Sequence, residues 1–89
     1  MEYKTIIIKL PKYHPENGLR LEWETGFSIK VKQENGVVIL QANEHGLMSL
    51  AKHLINLANP EVPANTHIHF DDSNSLESGS SEFIIEKVT

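Results

Sequence analysis

Phe27-Ser28-Ile29-Lys30-Val31-Lys32-Gln33-Glu34-Asn35-Gly36-Val37-Val38-Ile39-Leu40 decides how the rest of the chain is read. Phe27, Ile29 and Val31 alternate with Ser28, Lys30 and Lys32, the period of a strand with one apolar face. Asn35-Gly36 is the pair that tolerates positive φ at both central positions of a tight hairpin turn. Val37 to Leu40 is then the returning strand. Directly afterwards the period changes. Leu47, Leu50, Ala51, Leu54, Leu57 and Ala58 recur at helical spacing, and Ser49, Lys52, His53 and Asn56 occupy the other positions. Asn43 suits an N-cap, and Glu44 favours the positive end of the helix dipole. Asn59-Pro60 stops the run. The expectation is a helix over about 44–58, with Leu50 and Leu54 facing the sheet and the polar residues facing water.

Outward from this core, Tyr3 to Leu10 is rich in β-branched residues and reads as a strand. Pro11, Pro15, Asn17 and Gly18 mark a loop. Leu19, Leu21 and Trp23 alternate with Arg20, Glu22 and Glu24, which predicts another strand, and Thr25-Gly26 a turn or bulge. On the C-terminal side, Thr66-His67-Ile68-His69-Phe70 and Glu82-Phe83-Ile84-Ile85-Glu86-Lys87-Val88 read as two more strands around a polar stretch from Asp71 to Ser81. The expected fold is α+β: a mainly antiparallel sheet of about five to six strands, with the single helix packed on one face. The 89 residues make one domain, 1–89, without repeat or linker.

Composition narrows the function. The chain has no cysteine, which removes disulfides, thiolate metal sites and a cysteine nucleophile. The first residues lack the apolar core of a signal peptide, and no apolar run is long enough to cross a bilayer. A cytoplasmic protein that does not bind membranes is expected. The net charge is −4 and it is unevenly spread. Residues 1–33 carry six basic and four acidic side chains, +2; residues 34–58 carry Glu34, Glu44 and Lys52, −1; residues 59–89 carry six acidic side chains and Lys87, −5. Nucleic-acid binding wants a basic face, which is weak here. An acidic end suits a basic protein partner, or simply a solvated surface.

Motifs for chemistry are few. Alternation puts His67 and His69 on one strand face, while Ile68 and Phe70 face the helix. Two imidazoles at that spacing can share a metal ion, with Asp71 or Asp72 adding oxygen, but a stable zinc site wants three or four protein ligands. No metal and no other cofactor is therefore expected. Asp71 to Glu82 has the length and the acidic ends of an EF-hand loop. Its sixth position, where that loop turns on glycine, is Leu76, so the motif is rejected. Leu76 either anchors the loop in the core, the expected role, or is offered to a partner. Eleven irregular residues are long for a hairpin connection, and long loops in compact domains are often functional. There is no phosphate-binding glycine loop, nucleophile elbow or zinc-protease helix. His14, His45 and His53 are scattered, and Trp23 and Tyr3 read as core or sheet-face residues. The protein is expected not to be an enzyme.

Asn43-Glu44-His45-Gly46-Leu47, His67-Ile68-His69 and Ser75-Leu76-Glu77-Ser78-Gly79-Ser80 carry a resemblance over about the second half of the chain. They resemble a family of small bacterial proteins classed among the immunity proteins of polymorphic toxin systems, with its asn-glu-x-gly-leu helix start, his-x-his strand and ser-leu-glu-x-gly-ser loop. The resemblance implies a binding protein that blocks a cognate toxin, and it brings no catalytic residues. A partner-binding surface is then expected from His67, His69, Asp71, Asp72, Leu76 and Glu77, facing a protein partner that is basic if charge guides it. The competing readings are a metal-binding protein or small metal-dependent enzyme built on His67 and His69, and a homodimeric interaction domain.

Overall fold

A computed structural model describes residues 1–89. The order is β1 (Ile29–Glu34), β2 (Val37–Ala42), α1 (Glu44–Leu57), β3 (His67–Phe70) and β4 (Phe83–Glu86), preceded by one 3-10 turn at Pro15–Asn17. β1 and β2 form the expected antiparallel hairpin, with Glu34 opposite Val37. Asn35 and Gly36 sit at φ 51° and 78°, the left-handed region that a two-residue turn requires. β3 and β4 form a second antiparallel hairpin, with His69 opposite Ile84 and His67 opposite Glu86. No helix is long and apolar enough to cross a membrane.

The α+β class, the single helix and the antiparallel pairing agree with the sequence reading. The strand count does not. There are four strands in two separate two-stranded sheets, not five to six in one sheet. The two missing strands fail for different reasons. Leu19, Leu21 and Trp23 do point at the core, as their alternation indicates, but the segment finds no strand to pair with. Helix side chains satisfy its backbone instead: Ser49 Oγ accepts from the Glu24 N–H at 2.8 Å, and Asn56 Nδ2 donates to the Arg20 carbonyl at 2.7 Å. Residues 1–13 make no backbone–backbone hydrogen bond at all, and Tyr3, Ile6 and Ile7 are exposed. Their β propensity is unused, because propensity measures fit to a neighbouring strand and no strand is offered.

The same bonds rotate α1 away from the expected orientation. Its buried residues are Gly46, Ser49, Leu50, His53, Asn56 and Leu57. Leu50 faces the core at 8% exposure, but Leu54 is 49% exposed, with Leu47, Met48 and Ile55 also turned outward. Ser49, His53 and Asn56, expected to face water, lie inside. Lys52 alone of the expected polar face keeps to the rim, where its ammonium stands 3.7 Å from Glu24. Asn43 holds the helix start: its Oδ1 accepts from Gly46 N–H at 2.8 Å and Ser28 N–H at 3.0 Å, and its Nδ2 donates to the Gly26 carbonyl at 2.9 Å. One side chain thus caps α1 and ties it to the approach to β1.

The core is Ile29, Val31, Leu50, Leu57, Val62, Ile68, Phe70 and Leu76. Phe70 is its centre, edge-on to Trp23 at 6.0 Å and stacked with Phe83 at 5.8 Å.

Candidate functional site

The candidate surface is built on β3 and the loop that follows it. Burying Ile68 and Phe70 puts His67 and His69 on the outer face, where both are exposed. The chain then turns sharply. Asp71 Oδ1 accepts from the Ser73 N–H at 3.0 Å and the Ser73 hydroxyl at 2.9 Å, the local bonding that lets aspartate start a turn. The Asp71 carbonyl accepts from the N–H groups of Asn74 and Leu76, and the Asn74 side chain donates to the His69 carbonyl at 3.3 Å. The loop is therefore ordered by its own polar groups.

It is also fastened from below. Leu76 is buried in the core, so it anchors the loop, and its side chain is not on the outer surface. Glu77 N–H donates to the Ile29 carbonyl and Ser81 N–H to the Val31 carbonyl, both at 2.8 Å, while Ser80 Oγ accepts from the Val31 N–H at 3.2 Å. These bonds satisfy the edge of β1 that β2 leaves free. The length of the loop follows: it spans from one hairpin to the other and closes that edge.

Of the six residues singled out from sequence, five stand at the surface: His67, His69, Asp71, Asp72 and Glu77. His69 Nε2 lies 3.7 Å from Asp71 Oδ2 and 3.3 Å from Glu82 Oε2, an ion pair with both carboxylates when the ring is protonated. His67 is apart from this group; its Nδ1 lies 3.4 Å from the Asn65 carbonyl. Asp72 turns to the loop, with Oδ2 3.4 Å from the Gly79 N–H. His67 and His69, which the competing metal-site reading would place on one ion, are not the residues whose ligand atoms lie together. The set within reach of a common cation is His69, Asp71 and Glu82, their ligand atoms within 4.8 Å of one another. All three are solvent-accessible, and the ion pair accounts for their arrangement.

Glu82 is the residue that spacing did not connect to His69. With His69 opposite Ile84, alternation returns Glu82 and Glu86 to the face that carries both histidines. That register depends on how the loop is folded, and a sequence spacing does not contain it.

The charge of the face is acidic. Glu82 and Glu86 share the face of the histidines, and Asp72 and Glu77 are exposed on the adjoining loop. Lys87, the one basic residue after position 58, points elsewhere: its ammonium donates to the carbonyls of Asn59 and Val62, both at 2.8 Å. The Lys30 ammonium reaches the neighbourhood of Gly79 on the loop. The surface has no deep cleft. The fold's cleft, about 340 Å³, lies between the N-terminal arm and α1, lined by Ile6, Ile7, Ile8, Lys9, Glu24, Met48 and Lys52.

The profile of one protein family, described as Immunity protein 32, matches residues 37–88, a span that takes in both hairpins' returning strands, α1 and the whole acidic loop. No curated protein and no solved structure matches the chain.

Proposed function

The chain belongs to the Immunity protein 32 family, and from that membership we propose that it is a cytoplasmic binding protein that neutralises a cognate bacterial toxin, meeting it with the acidic face of β3 and the 71–82 loop. The family match carries the reading, and it covers that whole face. Two features of the face support it. The loop is pre-ordered by Asp71 and Leu76, so little conformational entropy is lost on docking. Its exposed carboxylates make the face acidic, which speeds encounter with a basic surface such as a phosphate-holding cleft. His67 and His69 add hydrogen-bonding groups and flat apolar rings beside the carboxylates. The role needs no chemistry from the chain, only occupation of the toxin's working surface.

The test uses the cognate toxin that this reading requires. Asp71→Asn, Asp72→Asn and Glu77→Gln combined should leave the fold close to intact: asparagine keeps the Oδ1 acceptor that Asp71 offers Ser73, and the exposed charges of Asp72 and Glu77 contribute little to stability. Association should slow and lose much of its salt dependence, because fewer charges remain to be screened. Equal association rates for wild type and variant at low and high salt would place the contact elsewhere.

A further inference from the structure

Between Leu47 and Ile55 the outward face of α1 is apolar. Leu47, Met48, Leu54 and Ile55 are each between 38% and 55% exposed, and Ala51 lies in their midst. On a helix, residues three and four apart are neighbours, so these five side chains form one stripe. The stripe is symmetric about Ala51: a small residue at the centre, with a pair of large apolar residues at three and four positions on either side. A two-fold axis through Ala51 sets Leu47 against the partner's Ile55 and Met48 against the partner's Leu54. The small central side chain lets the two helices approach closely. Self-complementarity of this kind is what an isologous contact requires.

The exposed area points the same way. A folded chain of 10.1 kDa ordinarily exposes about 5,300 Å². This one exposes 6515 Å². The excess, about 1,200 Å², is drawn from the exposed apolar groups of the arm, Met1, Tyr3, Ile6 and Ile7, as well as from the stripe. The radius of gyration, 14.3 Å, is likewise larger than the ~12 Å expected for this length. The arm of residues 1–10 accounts for part of the excess, and it flanks the stripe: Ile6 and Ile7 share a cleft with Met48.

We propose that this protein forms a two-fold homodimer through α1, with Ala51 on the axis and Leu47, Met48, Leu54 and Ile55 buried between the copies. A second copy fits the stripe better than a basic partner does. The stripe offers no charge between its ends, and the adjacent Lys52 is engaged with Glu24. The acidic loop lies on other elements, so the dimer leaves it free. The inference does not rest on the toxin reading, because it concerns the chain alone.

Sedimentation equilibrium of the full chain, from low to high micromolar concentration, should give a mass approaching twice 10.1 kDa. Ala51→Glu, which sets like charges on the axis, and Leu54→Glu should each return the monomer mass with an unchanged circular dichroism spectrum. Val37→Glu, an exposed apolar position on β2, should leave the dimer. Because the chain has no cysteine, Ala51→Cys gives a single thiol; added oxidant should link it into a covalent dimer, and should fail to link Ser73→Cys. The cross-link keeps the test decisive if a charged variant unfolds. A monomer at every concentration would overturn the proposal, as would a dimer indifferent to both charged variants or equal cross-linking at Ala51→Cys and Ser73→Cys. A monomeric wild type whose toxin binding is lost in Leu54→Glu would assign the stripe to the toxin.

Discussion

His53 Nε2 is buried without a hydrogen-bond partner, with the ring edge-on to Trp23 at 4.3 Å. Burial, and secondarily the charge of Lys52, lower its pKa from 6.5 to about 4. The direction sets the pH dependence. Above 6.5 the ring is neutral whether the chain is folded or not, and stability is unaffected. Between 6.5 and about 4 the unfolded chain takes up a proton that the folded chain refuses, so stability falls as pH falls. Below about 4 the loss levels off, at roughly 3 kcal/mol by the usual conversion. Urea denaturation between pH 7 and pH 4 should show this slope, and His53→Leu should flatten it; an equal slope in the variant would mean that His53 is not its source. Gly46 shows a second residue-scale constraint. A Cβ there would lie 2.5 Å from the Ser28 carbonyl oxygen and 2.9 Å from Ile29 Cγ1. Gly46→Ala should therefore destabilise by about 1–3 kcal/mol, although alanine is the better helix former. A stabilised variant in thermal denaturation would contradict the close approach of α1 to β1.

At the scale of the element, α1 separates what periodicity can and cannot say. Its span, cap and end were legible, because they depend on residues within a few positions of each other. Its rotation about its own axis was not. Two arcs of the helix are apolar enough to be buried: one carries Leu50 and Leu57, the other Leu47, Leu54 and Ile55. Ser49 and Asn56 decide between them by bonding to the 19–24 segment. Leu50→Ala should cost about 2–5 kcal/mol, the range for a buried leucine. Leu54→Ala should cost roughly 1 kcal/mol in dilute solution, since half of that side chain stays in water. Equal losses in chemical denaturation would restore the orientation that hydrophobic spacing alone suggests.

For the molecule as a whole, the acidic loop joins two hairpins that share no sheet. It does so with backbone bonds to the edge of β1 and with Leu76 in the core. Only twelve residues are buried, so the loss of one anchor is felt throughout. Leu76→Ala should cost about 2–5 kcal/mol and lower the denaturation midpoint of the entire chain, not of the loop alone. The neighbouring Glu77→Gln should leave the midpoint almost unmoved, because its backbone N–H makes the structural bond and its carboxylate faces water. A cooperative transition indifferent to Leu76→Ala would show that the loop is not part of the folding unit. In this division of labour the inner face supports the fold and leaves the outer carboxylates in water.

What the sequence determined by itself was local. The Asn35-Gly36 turn, the Asn43 cap, the alternation of His67 to Phe70 and the acidic bias after residue 58 all rest on short-range stereochemistry or on composition, and all stand in the structure. The anchoring role of Leu76 was also legible, because an apolar residue in a polar loop has few other uses. Tertiary structure decided the rest. It left Tyr3–Leu10 without a strand partner, gave the 19–24 backbone to Ser49 and Asn56, turned Leu54 outward and brought Glu82 to His69. The physical reason is common to these cases. A strand, a helix face and an ion pair each need a partner distant in sequence, and several partners of suitable chemistry were present. Which one is taken depends on how the whole chain buries its few large side chains and bonds its remaining backbone groups.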